Sequence, residues 1–486
     1  ICFSRQNKLI SFLIIMKNFK LYSIYLLILL FVAILLMAFI NLKKNIDNKS
    51  DQLSYVKKNL YNKKAQLKNI HNKLLKKNIN IENLVFEDGI TFKSKINKNL
   101  KLKEYNYDFK EFTSDDMIFA KHPDASSSAY IDYYDDNIFL VTATGQITYS
   151  NVKNLDDDRF ILSSIKSNIQ EVIRYEEFYY SSQFGIKDIL VHNNQIYVSY
   201  IKEHSKDCFS TSILKGEVNF SYILFNEFYS PDKCIEKDNK FYDTHKKDKM
   251  TAHQAGGRMI IINNDLVFST GEFRYRILAQ DPDSDFGKII SINLFNKSKK
   301  IISMGHRNPQ GLYFDKDLNT LFSTEHGPSG GDEINSLDFN QTNANDIPNY
   351  GWPISSYGRH YFDLGDDEDS RYKLSPLKKS HSKYGFIEPL KYFDPSVAIS
   401  QIIGIPDAFY KSDNNSFLVG TMGNAKKLKK GMLSILFFEY DDDNKIISSE
   451  FIPLLSRVRD MIFVEDMNSV LMYLETNNSL AILKKK

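Results

Sequence analysis

One short phrase recurs six times in this chain of 486 residues and constrains its fold more than any other feature. Each copy is a turn rich in Asn and Asp followed by an apolar run that ends in small or polar residues. The copies include Asn137-Ile138-Phe139-Leu140-Val141-Thr142, Gln195-Ile196-Tyr197-Val198-Ser199 and Asp265-Leu266-Val267-Phe268-Ser269-Thr270. They continue in Thr320-Leu321-Phe322-Ser323-Thr324, Ser416-Phe417-Leu418-Val419-Gly420-Thr421 and Ser469-Val470-Leu471-Met472-Tyr473-Leu474. Every run reads as a strand, and several are followed by a second apolar run such as Lys288-Ile289-Ile290-Ser291-Ile292. The spacing leaves room for one four-stranded unit per interval, and no long amphipathic helix interrupts the series. The expected fold is therefore all-β, a six-bladed propeller over 115–486, with a β-sandwich as the simpler alternative. Aromatic residues at 13%, nearly all Phe and Tyr, suit such a core.

The amino-terminal part is built differently. Leu21 to Ile40 is twenty residues without a charge, long enough for a helix to span the hydrocarbon of a bilayer, so 21–40 reads as a transmembrane anchor. Met16, followed by Lys17 and Lys20, reads as a natural start, which sets residues 1–15 of the 1–20 segment apart. Ile46, Leu53, Leu60, Leu67 and Leu74 recur every seven residues, which predicts a Lys-rich helical stalk over 41–80. Lys49, Lys63 and Lys77 fall on its second seam, so oligomerisation through the stalk would be weak. Residues 81–114 read as a linker. The expected placement is an inner-membrane anchor with the folded domain in the periplasm.

Charge follows the same division. Residues 1–80 hold fifteen Lys and Arg against two Asp, which leaves 81–486 at −10 within a total of +3. An acidic globular part excludes a nucleic-acid partner. Cys208 and Cys234 are close enough in sequence to form a disulfide or to remain two ordinary thiols.

Chemistry concentrates between Gly305 and Pro353. Arg307 offers a planar fork of donors for a carboxylate or quinone oxygen, with the Asn308 amide beside it. Gly327-Pro328 forms a turn able to aim carbonyls at a hard cation such as Ca²⁺, and Trp352 could stack on a flat ligand. The bland reading pairs Arg307 with Asp332 or Glu333. His253, in His253-Gln254-Ala255-Gly256-Gly257-Arg258, could act as a general base near a carboxylate such as Glu272, or be structural. Arg457 and Arg459 alternate onto one face of a strand, as a receptor for two carboxylates or as a surface ladder with Asp460.

Taken together, GHRNPQGLYFD, EHGPSGGDEIN, NYGWPISSYGRHY, HQAGGRM and SRVRD make the chain resemble the glucose/sorbosone dehydrogenase family, in family order over roughly 115–486. It is most similar there to the aldose sugar dehydrogenases that use pyrroloquinoline quinone (PQQ). The resemblance implies a six-bladed propeller holding PQQ and Ca²⁺ on its axis. It implies His253 as the base and Arg307, Asn308, Arg457 and Arg459 as cofactor ligands. It also implies the Gly327 and Pro328 carbonyls as calcium ligands, and Gln183 beside the substrate. Departures are Ala252 where some relatives have Asp, Glu272 for Asp, and His326 for Gln at a cofactor-facing position. A fifth-blade Lys is expected after Thr421-Met422, where Gly423-Asn424 follows and Lys426 or Lys427 is next.

The expected activity is oxidation of an aldose or related polyol, with electrons passed to a respiratory acceptor. Two alternatives are a non-catalytic propeller that binds saccharide or protein, and a Ca²⁺-dependent lactone hydrolase. The hydrolase would need several axial carboxylates or Asn around the metal in place of paired arginines.

Overall fold

The recurring phrase is the second strand of a four-stranded antiparallel meander, and each of its six copies occupies that position. The computed structural model describes residues 89–114, 128–237, 250, 252–339, 346–360, 373–423, 428–441 and 445–486. In the first meander the strands are Ala129–Tyr134, Asn137–Thr142, Ile147–Asn151 and Arg159–Ser167, and in the second Ile186–His192, Gln195–Ser205, Cys208–Glu217 and Asn226–Tyr229. The third runs Gly256–Ile262, Asp265–Thr270, Lys288–Asn293 and Lys299–Met304, and the fourth Pro309–Asp315, Thr320–Glu325, Asp332–Asp338 and Lys391–Phe393. The fifth is Ile399–Ile405, Asn415–Thr421, Ser434–Tyr440 and Ile446–Pro453. The sixth takes Val458–Val464, Ser469–Leu474 and Ser479–Lys485 from the end of the chain and Tyr105–Thr113 from its earlier part.

The first strand of each meander packs against the first strand of the next, and that of the sixth against that of the first. The architecture is all-β and propeller-like. Closure is by register: Tyr107 to Thr113 pair with Lys485 to Ser479, so the outer strand of the last blade comes from before the first. Strand Ile90–Leu102 then pairs with both Tyr105–Thr113 and Arg159–Ser167, which joins the sixth and first blades in one ten-stranded sheet. The stretch 89–114, part of the segment that read as a linker, thus contributes two strands. Their alternation of Lys and Asn with apolar residues matches a strand pair with one solvated face.

Local chemistry explains the hairpins. Asp135, Asp136, Asn193, Asn194, Asn263, Asn319 and Asn468 lie in the left-handed region, at φ between 44° and 61°, just before a second strand. Asn and Asp tolerate that region, and tight hairpins require it. The second strands are apolar almost throughout because they are covered on both faces by adjacent blades; Ser469–Leu474 is buried at every position. Flat rings fill the wedge between blades. Phe417 stacks on Phe438 at 4.9 Å and meets Phe322 of the fourth blade at 4.8 Å. A disulfide joins Cys208 to Cys234 within the second blade.

The axis is held by one cation. Arg258 Nη1 bonds Asp188 and Asp460, each at 2.7 Å, and its Nε donates to the Gln310 carbonyl at 3.2 Å. Asp460 also accepts from the Ile131 N–H and Asp188 from the Met259 N–H, both at 2.8 Å. Inner strands of five blades meet in this network. Asp460 therefore belongs to Arg258 and does not form a surface ladder with its arginine neighbours.

The expected inner-membrane anchoring does not stand. Among the described residues no helix is long and apolar enough to cross a membrane. The apolar stretch 21–40 and the heptads of 41–80, on which anchor, stalk and periplasmic placement rested, lie outside the described residues.

Candidate active site

The starts of the inner strands and the ends of the second strands lie at one end of the ring and enclose a cavity of about 430 Å³. The structure brings Gln183, His253, Arg307, Asn308, His326, Arg457 and Arg459 together on its wall, from four blades. No described Asp or Glu lines it.

Bulges aim several of these groups. Strand pairing slips between Ile186 and Asp188, between Pro309 and Gly311, and between Val458 and Asp460. The residues left over are Lys187, Gln310 and Arg459, and all three reach the cavity wall. An extra residue in one strand breaks the in–out alternation locally and turns a side chain out of the sheet toward the axis.

The paired arginines share one carboxylate. Glu475, wholly buried behind them, accepts from Arg457 Nε at 2.8 Å and from Arg459 Nε at 2.6 Å. With Nε anchored, the guanidinium planes are fixed. Arg457 Nη1 donates to the Gly423 carbonyl at 2.6 Å, and Arg459 Nη1 to Gln310 Oε1 at 3.1 Å. Arg307 is held from the fourth blade: its N–H donates to Glu325 at 2.8 Å and its Nη1 to the His326 carbonyl at 2.8 Å. Gln254, with its amide nitrogen turned to Glu272, accepts from Arg307 Nη2 at 2.6 Å. Asp332 takes the N–H groups of Gly327 and Ala398.

His253 faces Gln183, whose Nε2 lies 3.1 Å from the imidazole Nε2. An amide N–H pointing there requires that nitrogen to be unprotonated, the state a general base needs. Ala252 and Gln254 on either side are left-handed, at φ 52° and 61°. Such strain in non-glycine residues is held by surrounding structure and concentrates at functional loops. Gly271 is required beneath them: a side chain there would collide with the Gln254 carbonyl, which accepts the Phe273 N–H at 3.0 Å. His326 is kept uncharged, its pKa lowered to about 3 by burial and then by Arg307. Lys187 is half-buried; its amine donates to the Gln183 carbonyl at 2.7 Å and to that of Ser182 at 3.1 Å.

Four expected residues do not reach the cavity wall. Glu272 is wholly buried behind Gln254, because the longer carboxylate is taken up by that amide. Trp352 lies against Arg307, whose guanidinium carbon is 5.3 Å from the ring centroid, so it backs the arginine. Gly327 and Pro328 lie off the wall just after the fourth blade's second strand, and the Pro328 carbonyl accepts the Ser396 hydroxyl at 3.2 Å. Among the described residues no three His, Cys, Asp or Glu side chains converge as a metal site.

Sequence reasoning missed Lys187, Arg274, Gln310, Lys429 and Glu475. Lys429 lines the cavity from the fifth-blade loop where a lysine was sought, whereas Lys426 and Lys427 lie outside the described residues. A signal for Glu475 was present: Glu272, Glu325 and Glu475 all stand at or just after the end of a recurring second strand.

A model of the Glucose / Sorbosone dehydrogenase family matches residues 135–484. The aldose sugar dehydrogenase YliI of Escherichia coli is 34% identical over 181 residues, 34% of this chain and 42% of that protein. An uncharacterised protein of Synechocystis is 30% identical over 204 residues, 39% of this chain and 43% of that one. The chain thus spans less than half the length of either relative it matches. The solved apo form of the soluble aldose sugar dehydrogenase of Escherichia coli shares the fold, with a TM-score of 0.53 and 18% identity over 78% of this chain and 100% of that chain.

Proposed function

The chain belongs to the glucose/sorbosone dehydrogenase family, and from that premise we propose a quinoprotein oxidoreductase that oxidises the anomeric carbon of an aldose on a six-bladed propeller. The observation that supports this reading best is the cavity itself, where arginines from two remote stretches converge on one hollow beside His253. Such a wall suits a flat polycarboxylate. The buried Ser182 Oγ and Arg274 Nε on that wall have no hydrogen-bond partner among the described residues, as expected of donors facing a ligand site.

Arg307, Asn308, Arg457 and Arg459 would hold PQQ, with Lys187 and Gln310 alongside. When bound, PQQ supplies a two-electron acceptor for the hydride from the sugar's C1. His253 Nε2 takes the proton of the anomeric hydroxyl, which displaces the Gln183 amide from that nitrogen. His326, uncharged at working pH, accepts or donates a hydrogen bond without adding to the positive field. Of the carbonyls expected to hold Ca²⁺, that of Pro328 is turned to Ser396, and neither Gly327 nor Pro328 lines the cavity. No step is therefore routed through a metal. The paired arginines Arg457 and Arg459 on the wall also argue against the lactone hydrolase. Purified protein given PQQ should reduce a dye acceptor on addition of an aldose; a protein that binds PQQ and turns over no aldose overturns the reading.

Lys187 gives the site a pH dependence. Burial, with Arg459 adding to it, lowers the amine's pKa to about 7. The group is cationic below that value and neutral above it, so PQQ affinity is highest in mildly acidic solution. It should fall roughly tenfold as pH rises from 6 to 8, the size of a lost charged hydrogen bond. Titrations at the two pH values check this, and Lys187→Met should flatten the difference.

A further inference from the structure

The charge lining the cavity bears on which sugar enters it, given the oxidoreductase reading above. Lys187, Arg274, Arg307, Lys429, Arg457 and Arg459 line the wall, and no described carboxylate does. Most of these cations are engaged. Glu475 spans Arg457 and Arg459, Arg307 is tied to the His326 carbonyl and Gln254, and Lys187 holds two carbonyls. Lys429 stands exposed at the mouth. Arg274 is different: its Nε is buried and has no hydrogen-bond partner among the described residues.

Its position is also fixed. Arg274 and Phe273 before it are both left-handed, at φ 62° and 52°. The Phe273 N–H donates to the carbonyl of Gln254, the residue next to His253, so the arginine and the base belong to one braced pair of loops. A buried guanidinium donor without an acceptor is costly, and the cost is recovered when a matching acceptor enters. A planar fork matches a carboxylate in particular. The cofactor's carboxylates already have arginines on the fourth- and sixth-blade side of the cavity, whereas Arg274 enters from the third blade, on the loop tied to the base.

We propose that Arg274 receives a carboxylate of the substrate, so that the enzyme acts on a uronic acid whose anomeric hydroxyl lies at His253. The neutral sugar lacking that group leaves the guanidinium unmatched, which makes it the poorer substrate. The remainder of the ring is then presented to Gln183 and Ser182, both on the same wall.

Glucuronate, glucose and glucose 6-phosphate separate the possibilities with PQQ-loaded protein. The expected result is a kcat/KM for glucuronate at least tenfold above that for glucose, a ratio that Arg274→Gln brings down at least tenfold and Arg274→Lys only in part. The proposal is overturned if glucose is the equal of glucuronate, if glucose 6-phosphate alone is preferred, or if Arg274→Gln keeps the ratio while weakening PQQ binding. Should no sugar be oxidised, the redox reading fails, and calorimetric binding decides the inference separately. Glucuronate must then bind at least tenfold more tightly than glucose in wild type, with the advantage lost in Arg274→Gln.

Discussion

Exchange of His253 for Gln should lower turnover of the PQQ-loaded protein by about 10²–10⁴-fold, the range expected when a positioned general base is lost. The glutamine keeps a polar group of similar reach but cannot take a proton. The cofactor's hold on Arg307, Arg457 and Arg459 should change far less, because Glu475, Glu325 and the His326 carbonyl brace them. Single-turnover bleaching of bound PQQ by sugar separates the chemical step from binding. A loss below tenfold would remove His253 from the role of base. The loop geometry sharpens the expectation, since the left-handed residues on either side leave the imidazole little freedom to be replaced by a neighbour.

Replacing Arg258 by Met should destabilise the domain by about 3–5 kcal/mol, the range for removing one partner of a buried ion pair. Two carboxylates, Asp188 and Asp460, would remain buried without their shared counter-charge. Burial raises both pKa values, and Arg258 opposes that rise. In the variant the rise is unopposed, so the folded state favours protonated carboxyls. Stability is then greatest in acid and is lost as pH increases through the raised folded values. Chemical denaturation at pH 5 and pH 8 should show the larger loss at pH 8. A deficit that is equal at both, or below 1 kcal/mol, would mean the axis is not held this way.

The sequence carried the repeat more legibly than the site. Six second strands are unbroken apolar runs because adjacent blades cover both faces, and Asn or Asp before them marks the left-handed turn. Outer strands such as Ile446–Pro453 are half-solvated and leave a weaker trace. The borrowed strand Tyr105–Thr113 could not be assigned, since its partner Ser479–Lys485 lies at the other end of the chain. Within the site, Arg307, Arg457 and Arg459 were legible as forks in a series of motifs. Lys187 was not, because only the slip in pairing between Ile186 and Asp188 turns it to the axis, and a bulge has no signature in alternation. Glu272 and Trp352 are in the right neighbourhood but one layer back, where they brace Gln254 and Arg307. Depth behind a wall is a property of packing, which spacing along the chain does not encode.

In the proposed enzyme, guanidinium groups from separate blades receive one polyanion. Spectroscopic titration of purified wild-type protein with PQQ, beside Arg459→Leu and Glu475→Gln, tests this most directly. One equivalent should bind in wild type, with affinity at least tenfold lower in Arg459→Leu and an intermediate loss in Glu475→Gln as both guanidiniums lose their anchor. Wild-type protein that shows no saturable PQQ binding, or variants that bind as well as wild type, would contradict it.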